Sequence, residues 1–260
     1  MTAEPKFLRR FERVWAALRR YQAALGLGLA ALVAALGAPA RDGGFLAEAQ
    51  AIMAGWRKEI APRLASDAVA IDPARLCAEI SRALPADGIL VADTGYSGIW
   101  TGTLVELEPT QTYLRAAGSL GWAFPASLGA KCAAPDRKVV CWSGDGALYY
   151  HLPELETAKR RGIAVTLVVN NNSGFGQGWP SYLKQAGNRP VAAEQVLRFG
   201  PTDFAAVARQ FGLKGIRVER PQDLAGALAE AMACDETCVV DVVTDIDCRA
   251  PEPWTPKEDI

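Results

Sequence analysis

The stretch from Cys141 to Trp179, CWSGDGALYYHLPELETAKRRGIAVTLVVNNNSGFGQGW, sets an acid between two glycines, then a helical segment, then an apolar run that ends in three asparagines. VVCWS runs into Gly144-Asp145-Gly146, and VTLVVN runs into Asn170-Asn171-Asn172. Continuous apolar runs of this kind, separated by helical sequence, are the pattern of parallel strands covered on both faces. Asp145 and Asn172 lie 27 positions apart (145 to 172), room for one helix and one returning strand, so both fall at the same sheet edge. Beyond the carboxyl ends of strands is where open α/β sheets bind ligands. A carboxylate, an amide oxygen and a backbone carbonyl just beyond suit a hard divalent ion such as Mg²⁺, which fills its remaining positions with phosphate oxygens or water. Glycines beside Asp145 let backbone N–H groups approach closely, and the following helix points its positive end at an anion. A diphosphate bridged by Mg²⁺ fits both features. Taken singly, GDG reads equally well as a turn and NNN as a loop; the spacing is what makes a site of them.

Working outward, the runs GILVAD, GIRVE and CVVDVV add strands of the same type, with helices such as DPARLCAEISRAL, PTDFAAVARQFG and PQDLAGALAEAM between them. Asp72 is placed to cap the first of these, with Pro73 in its first turn. The fold class that follows is α/β, a doubly wound parallel sheet flanked by helices, preceded by an N-terminal helical extension. The extension covers residues 1–64: helical from Phe7 to Leu36, broken at APARDGG, then a second helix closed by Pro62. Residues 65–260 form the sheet domain and end in a proline-rich arm, DCRAPEPWTPKEDI.

A chain of 260 residues holds one good core and a smaller appendage. With 28 basic and 29 acidic side chains it has no field of one sign to hold nucleic acid or a membrane surface. Six cysteines form no CxxC pair and His151 is the only histidine, so the thiols read as reduced and mostly buried, as in a cytoplasmic protein. The apolar segment from Leu25 to Gly37 falls short of the roughly 20 residues that span a bilayer.

Gly144-Asp145-Gly146 followed at this distance by Asn171-Asn172 resembles the signature of thiamine diphosphate enzymes, specifically the diphosphate-binding domain of the acetolactate synthase-like group. The likeness extends to GSLGWAFPASLGAKCAAPDRKVV before the signature, to VADTGYSGIW, and to the stretch from Pro201 to Asp245. It implies that Asp145, the Asn172 side chain and the Gly174 carbonyl ligate Mg²⁺, with Asn171 supporting the turn. It implies further that Gly144, Gly146, Ala147 and the loop Gly95-Tyr96-Ser97 hold the diphosphate of thiamine diphosphate, and that Phe175 borders it. Leu120 falls where the family sets a bulky apolar residue under the cofactor to bend it into a V, and Gly118 where a carbonyl meets its amino group. His151, near the start of the helix after GDG, reads as structural.

The same resemblance implies a group that this stretch lacks: a glutamate held against the cofactor's aminopyrimidine ring by a separate pyrimidine-binding domain. Glu12, Glu48 and Glu59 lie on helices with no accompanying sheet. The expected partner is therefore a pyrimidine-binding-domain subunit, in a hetero-oligomer with two or more copies of each chain. It would cover an apolar face around Leu120, Trp122, Phe124 and Phe175. The implied activity makes or breaks the bond next to a carbonyl of a 2-oxo acid. The alternatives are a 2-hydroxyacyl-CoA lyase subunit acting on a 2-hydroxyacyl thioester and a non-catalytic regulatory paralogue.

Overall fold

The computed structural model of the chain describes residues 44–251 except 186 and 188, together with residues 31 and 34. Apart from residues 31 and 34, the helix expected from Phe7 to Leu36 thus lies outside the described residues, as does most of the C-terminal arm. Two compact units divide at Trp56 and Arg57, within a helix, α1 (Gly44–Leu64). Pro62 does not close that helix as expected: it sits inside the last turn, and the Ala65 N–H reaches back to the Ala61 carbonyl at 3.2 Å, so the turn closes around the proline.

Within the larger unit, α2 (Pro73–Ala83) begins at Asp72, whose carboxylate accepts from the Ala74 N–H at 2.8 Å. Then come β1 (Ile89–Ala92), α3 (Tyr96–Leu104), β2 (Thr112–Arg115), α4 (Ala123–Ala133) and β3 (Val139–Gly144). The quoted stretch continues as α5 (Asp145–His151), α6 (Glu154–Arg161) and β4 (Thr166–Asn171). After it follow α7 (Trp179–Gln185), α8 (Pro190–Leu197), α9 (Phe204–Gln210), β5 (Lys214–Val218), α10 (Leu224–Met232) and β6 (Cys238–Val243). All six strands run parallel in the order β2-β1-β3-β4-β6-β5. The chain leaves β1 toward one edge and returns to β3 on its other side, so strand order reverses between β1 and β3.

Period-two alternation shows why the strands read as unbroken apolar runs. Ile89, Val91, Val139, Cys141, Leu167, Val169 and Val239 pack on one face with Phe124, Leu148, Leu155 and Phe204. Their neighbours Leu90, Val140, Trp142, Val168 and Val240 are equally buried on the other. β2 was not foreseen: TYLR at the sheet edge is only four residues long and half-buried, so it shows no continuous apolar run, although Thr112 and Tyr113 favour strands and the segment pairs with β1. Among the described residues, no helix is long and apolar enough to cross a membrane.

Candidate cofactor site

The loops leaving β1, β3 and β4 enclose a cavity of about 410 Å³, lined by Thr94 to Ser97, Leu120, Gly144 to Ala147, Asn170, Asn172 and Gly174 to Gly178. It lies beyond the carboxyl ends of the strands, where their order reverses, the position at which doubly wound sheets bind ligands. Gly95 turns the chain from β1 into α3 with φ 69, in the left-handed region open to glycine.

Asp145 is the first residue of α5 and only 2% exposed. Its carboxylate accepts from the Gly146 N–H at 2.7 Å and, across the cavity wall, from the Gly174 N–H at 3.0 Å. Burial pushes its pKa up to about 6 and outweighs the backbone donors, which act downward. Among the described residues no cation stands against this buried carboxylate, a cost that a bound cation would offset. Asn172 adds a second sign of the same kind: its Oδ1 is buried and has no hydrogen-bond partner among the described residues. Ser173 follows in the left-handed region at φ 53. Gly174 then bridges to Arg198, so close that a Cβ there would stand 2.6 Å from the Leu197 carbonyl oxygen. The bridge bonds run from the Phe175 N–H to Leu197 and from the Phe199 N–H to Ser173. Neither uses the Gly174 carbonyl. Among the described residues no three His, Cys, Asp or Glu side chains cluster as metal ligands, so a cation here would be held by one carboxylate with neutral oxygens. That donor set suits Mg²⁺.

Two buried aspartates that sequence reasoning missed fix these loops. Asp241 on β6 accepts from Asn171 Nδ2 at 2.8 Å, from the Phe204 N–H at 3.0 Å and from Arg217 Nη1 at 2.7 Å. Asn171 Nδ2 also donates to the Thr202 carbonyl, while its Oδ1 accepts from the Ser173 N–H at 3.3 Å. The turn that carries Asn172 is therefore clamped from beneath. Asp93, just after β1, accepts from the N–H groups of Thr94, Gly121 and Ala123 and so ties the segment bearing Leu120 to the sheet end. Both lie in stretches that carry the resemblance, VADTGYSGIW and Pro201 to Asp245, but only the sheet pairing brings them to these turns.

Of the residues expected to form the site, Gly95, Tyr96, Ser97, Leu120, Gly144, Asp145, Gly146, Ala147, Asn172, Gly174 and Phe175 all line the cavity. Gly118 does not; it is exposed on the segment leading to it. His151 ends α5 instead of starting it, because the helix begins at Asp145. Phe124 belongs to the core, 1% exposed, since α4 turns it onto the sheet. Glu59, exposed on α1, is not among the residues that line the cavity; Glu48 is exposed on the same helix, and Glu12 lies outside the described residues.

Comparison with known proteins agrees with this geometry. Residues 93–242 match the family model of the thiamine pyrophosphate enzyme, C-terminal TPP binding domain. A probable acetolactate synthase large subunit from Methanococcus aeolicus is 28% identical over 73% of this chain and 32% of that protein. A sulfoacetaldehyde acetyltransferase from Alcaligenes xylosoxydans xylosoxydans is 30% identical over 66% of this chain and 29% of its own length. Among solved structures, the Rhodococcus jostii RHA1 thiamine diphosphate-dependent 4-hydroxybenzoylformate decarboxylase superposes with a TM-score of 0.62 at 29% identity, covering 71% of this chain and 34% of that one. The chain spans about a third of the length of these relatives.

Proposed function

The chain belongs to the thiamine pyrophosphate enzymes, whose C-terminal TPP-binding domain it carries over residues 93–242, and on that premise we propose that it binds thiamine diphosphate through Mg²⁺ and serves a 2-oxo acid decarboxylase or carboligase. Asp145, Asn172 and the Gly174 carbonyl would hold the cation. Gly146, Ala147 and the loop from Gly95 to Ser97 would receive the diphosphate, and Leu120 would support the ring system. Thiamine diphosphate, when bound, supplies a nucleophilic carbon that reversibly attacks the carbonyl of a 2-oxo acid. The chain's own residues do the rest by holding the anionic tail, excluding water and fixing the rings. The reading rests above all on the buried Asp145 carboxylate, which meets no cation among the described residues, and on the Asn172 oxygen, which has no hydrogen-bond partner among them, both residues lining one cavity.

Among the described residues Asp145 is the only acid in the cavity wall, and it accepts from the Gly146 and Gly174 amides. The proton chemistry at the cofactor's aminopyrimidine would then fall to a glutamate from a pyrimidine-binding domain on a second chain. Replacing Asp145 with Ala removes the cation's charged ligand. Calorimetric titration with thiamine diphosphate and Mg²⁺ should show binding lost while the circular dichroism of the fold is kept. Unchanged affinity would overturn the assignment.

A further inference from the structure

The residue before the Asn171-Asn172 pair has no part in the reading above. Asn170 stands on β4 opposite Gly144 of β3. It is 4% exposed, lines the cavity with Asp145 and Asn172, and its Oδ1 has no hydrogen-bond partner among the described residues. The three residues before it, Leu167, Val168 and Val169, are fully buried and apolar, so a further apolar side chain would continue the strand. An amide there instead leaves a buried acceptor unmet, an arrangement that costs stability unless something fills it. Alternation along β4 turns Asn170 to the sheet face opposite Asn171, whose amide is bound to Asp241. Asn170 is thus free of the clamp that fixes its neighbour.

We propose that Asn170 is a further binding residue of this site, its Oδ1 accepting a hydrogen bond from a water on the divalent cation held by Asp145 and Asn172. The inference rests on the cofactor reading above. A carboxamide oxygen needs a donor, and diphosphate oxygens only accept. Water retained by Mg²⁺ is the donor such a site contains. Bonds of this outer kind typically change metal affinity about 10–100-fold.

The test uses the full chain in four forms: wild type, Asp145→Ala, Asn170→Leu and Asn170→Asp. Each is titrated with Mg²⁺ at saturating thiamine diphosphate, and each is melted in chelator. Asn170→Leu should weaken Mg²⁺ about ten-fold or more while the metal-free protein melts at the same or a higher temperature, because the unmet acceptor is gone. Asn170→Asp should keep or exceed wild-type affinity, since a carboxylate accepts the same bond and adds charge. Wild-type affinity in Asn170→Leu overturns the proposal. A lowered melting temperature with affinity intact would overturn it by giving Asn170 a purely structural place, in a buried water network with Trp142 and Thr244, whose Nε1 and Oγ1 also have no partner among the described residues. An Asn170→Asp variant as weak as Asn170→Leu overturns it too, pointing to an amide that donates to phosphate. No binding by wild type, or full binding by Asp145→Ala, would defeat the cofactor reading itself, whatever Asn170 does.

Discussion

At Asp145 two opposed forces act on one carboxylate: two backbone amides stabilise its charge and burial destabilises it, and burial wins, raising the pKa from 3.8 to about 6. The sign of the consequence is fixed. A group whose folded pKa is raised favours the folded state when protonated, so its contribution is fully present below about pH 4 and is lost as the pH rises through 6. Asp241 is shifted in the same direction, again chiefly by burial. Melting of the metal-free chain in chelator should therefore show stability falling between pH 4 and 7, by roughly 2 kcal/mol from Asp145. Asp145→Asn should flatten that slope, as should saturation with Mg²⁺ and thiamine diphosphate. An equally steep slope in the variant would remove Asp145 as its source. Leu120 poses a different balance. It is half-buried in the cavity wall rather than packed in the core, so Leu120→Ala should cost the fold only about 1 kcal/mol, below the range for fully buried leucines. Its effect belongs with the cofactor. Exchange of the C2 proton of bound thiamine diphosphate into deuterated water should slow more than diphosphate affinity falls, and a normal exchange rate would leave Leu120 as ordinary packing.

Among elements, the turn after β4 depends on β6. Asp241 stands opposite Val169 and Arg217 in the sheet register, and from there it holds Asn171, the start of α9 and the end of β5 at once. Asp241→Ala would take an acceptor from the Phe204 N–H and from Asn171 Nδ2, while Arg217, exposed and also paired with Glu219, keeps a partner; the variant should lower stability by about 1–3 kcal/mol in denaturant titration. Asn171→Ala removes the link between Asp241 and the turn, with the bond to the Thr202 carbonyl, but leaves Asp241 its bonds to Phe204 and Arg217. It should cost the fold about 1–2 kcal/mol yet weaken cofactor binding disproportionately, because Ser173 at φ 53 loses the acceptor that steadies it. Equal losses of stability and affinity in the two variants would mean that the turn needs no such support.

At the scale of the molecule, apolar side chains stand exposed beside the cavity. Trp122 is 38% exposed on the segment after Leu120, and Tyr150 61% exposed on α5. Under the proposed reading this face receives the pyrimidine-binding domain. The isolated chain, loaded with Mg²⁺ and thiamine diphosphate, should then turn over no 2-oxo acid, and mixing with that partner should restore turnover by at least the 10²–10⁴-fold typical of positioned acid–base groups. Trp122→Glu should block the restoration while leaving cofactor affinity unchanged. Turnover by the lone chain would end the two-chain reading and turn attention to an acid of its own.

The parallel sheet and its ligand edge were legible in the sequence because both rest on local patterns: apolar runs buried on two faces, and an acid and an amide spaced by one helix and one strand. Asp145 and Asn172 could be paired by counting residues, since a parallel crossover returns the chain to the same edge. Strand β2 could not be read that way, because a four-residue, half-buried edge strand shows no continuous apolar run. Nor could Pro62, His151 or Phe124 be placed correctly, since helix ends and helix rotation are settled by packing. Asp93 and Asp241 lie 28 or more positions from the turns they hold, and only the folded sheet makes them neighbours. Asn170 was visible as one of three asparagines, but its unmet oxygen was not: whether a polar atom has a partner depends on what folding brings within hydrogen-bond reach, and no pattern in the chain records that.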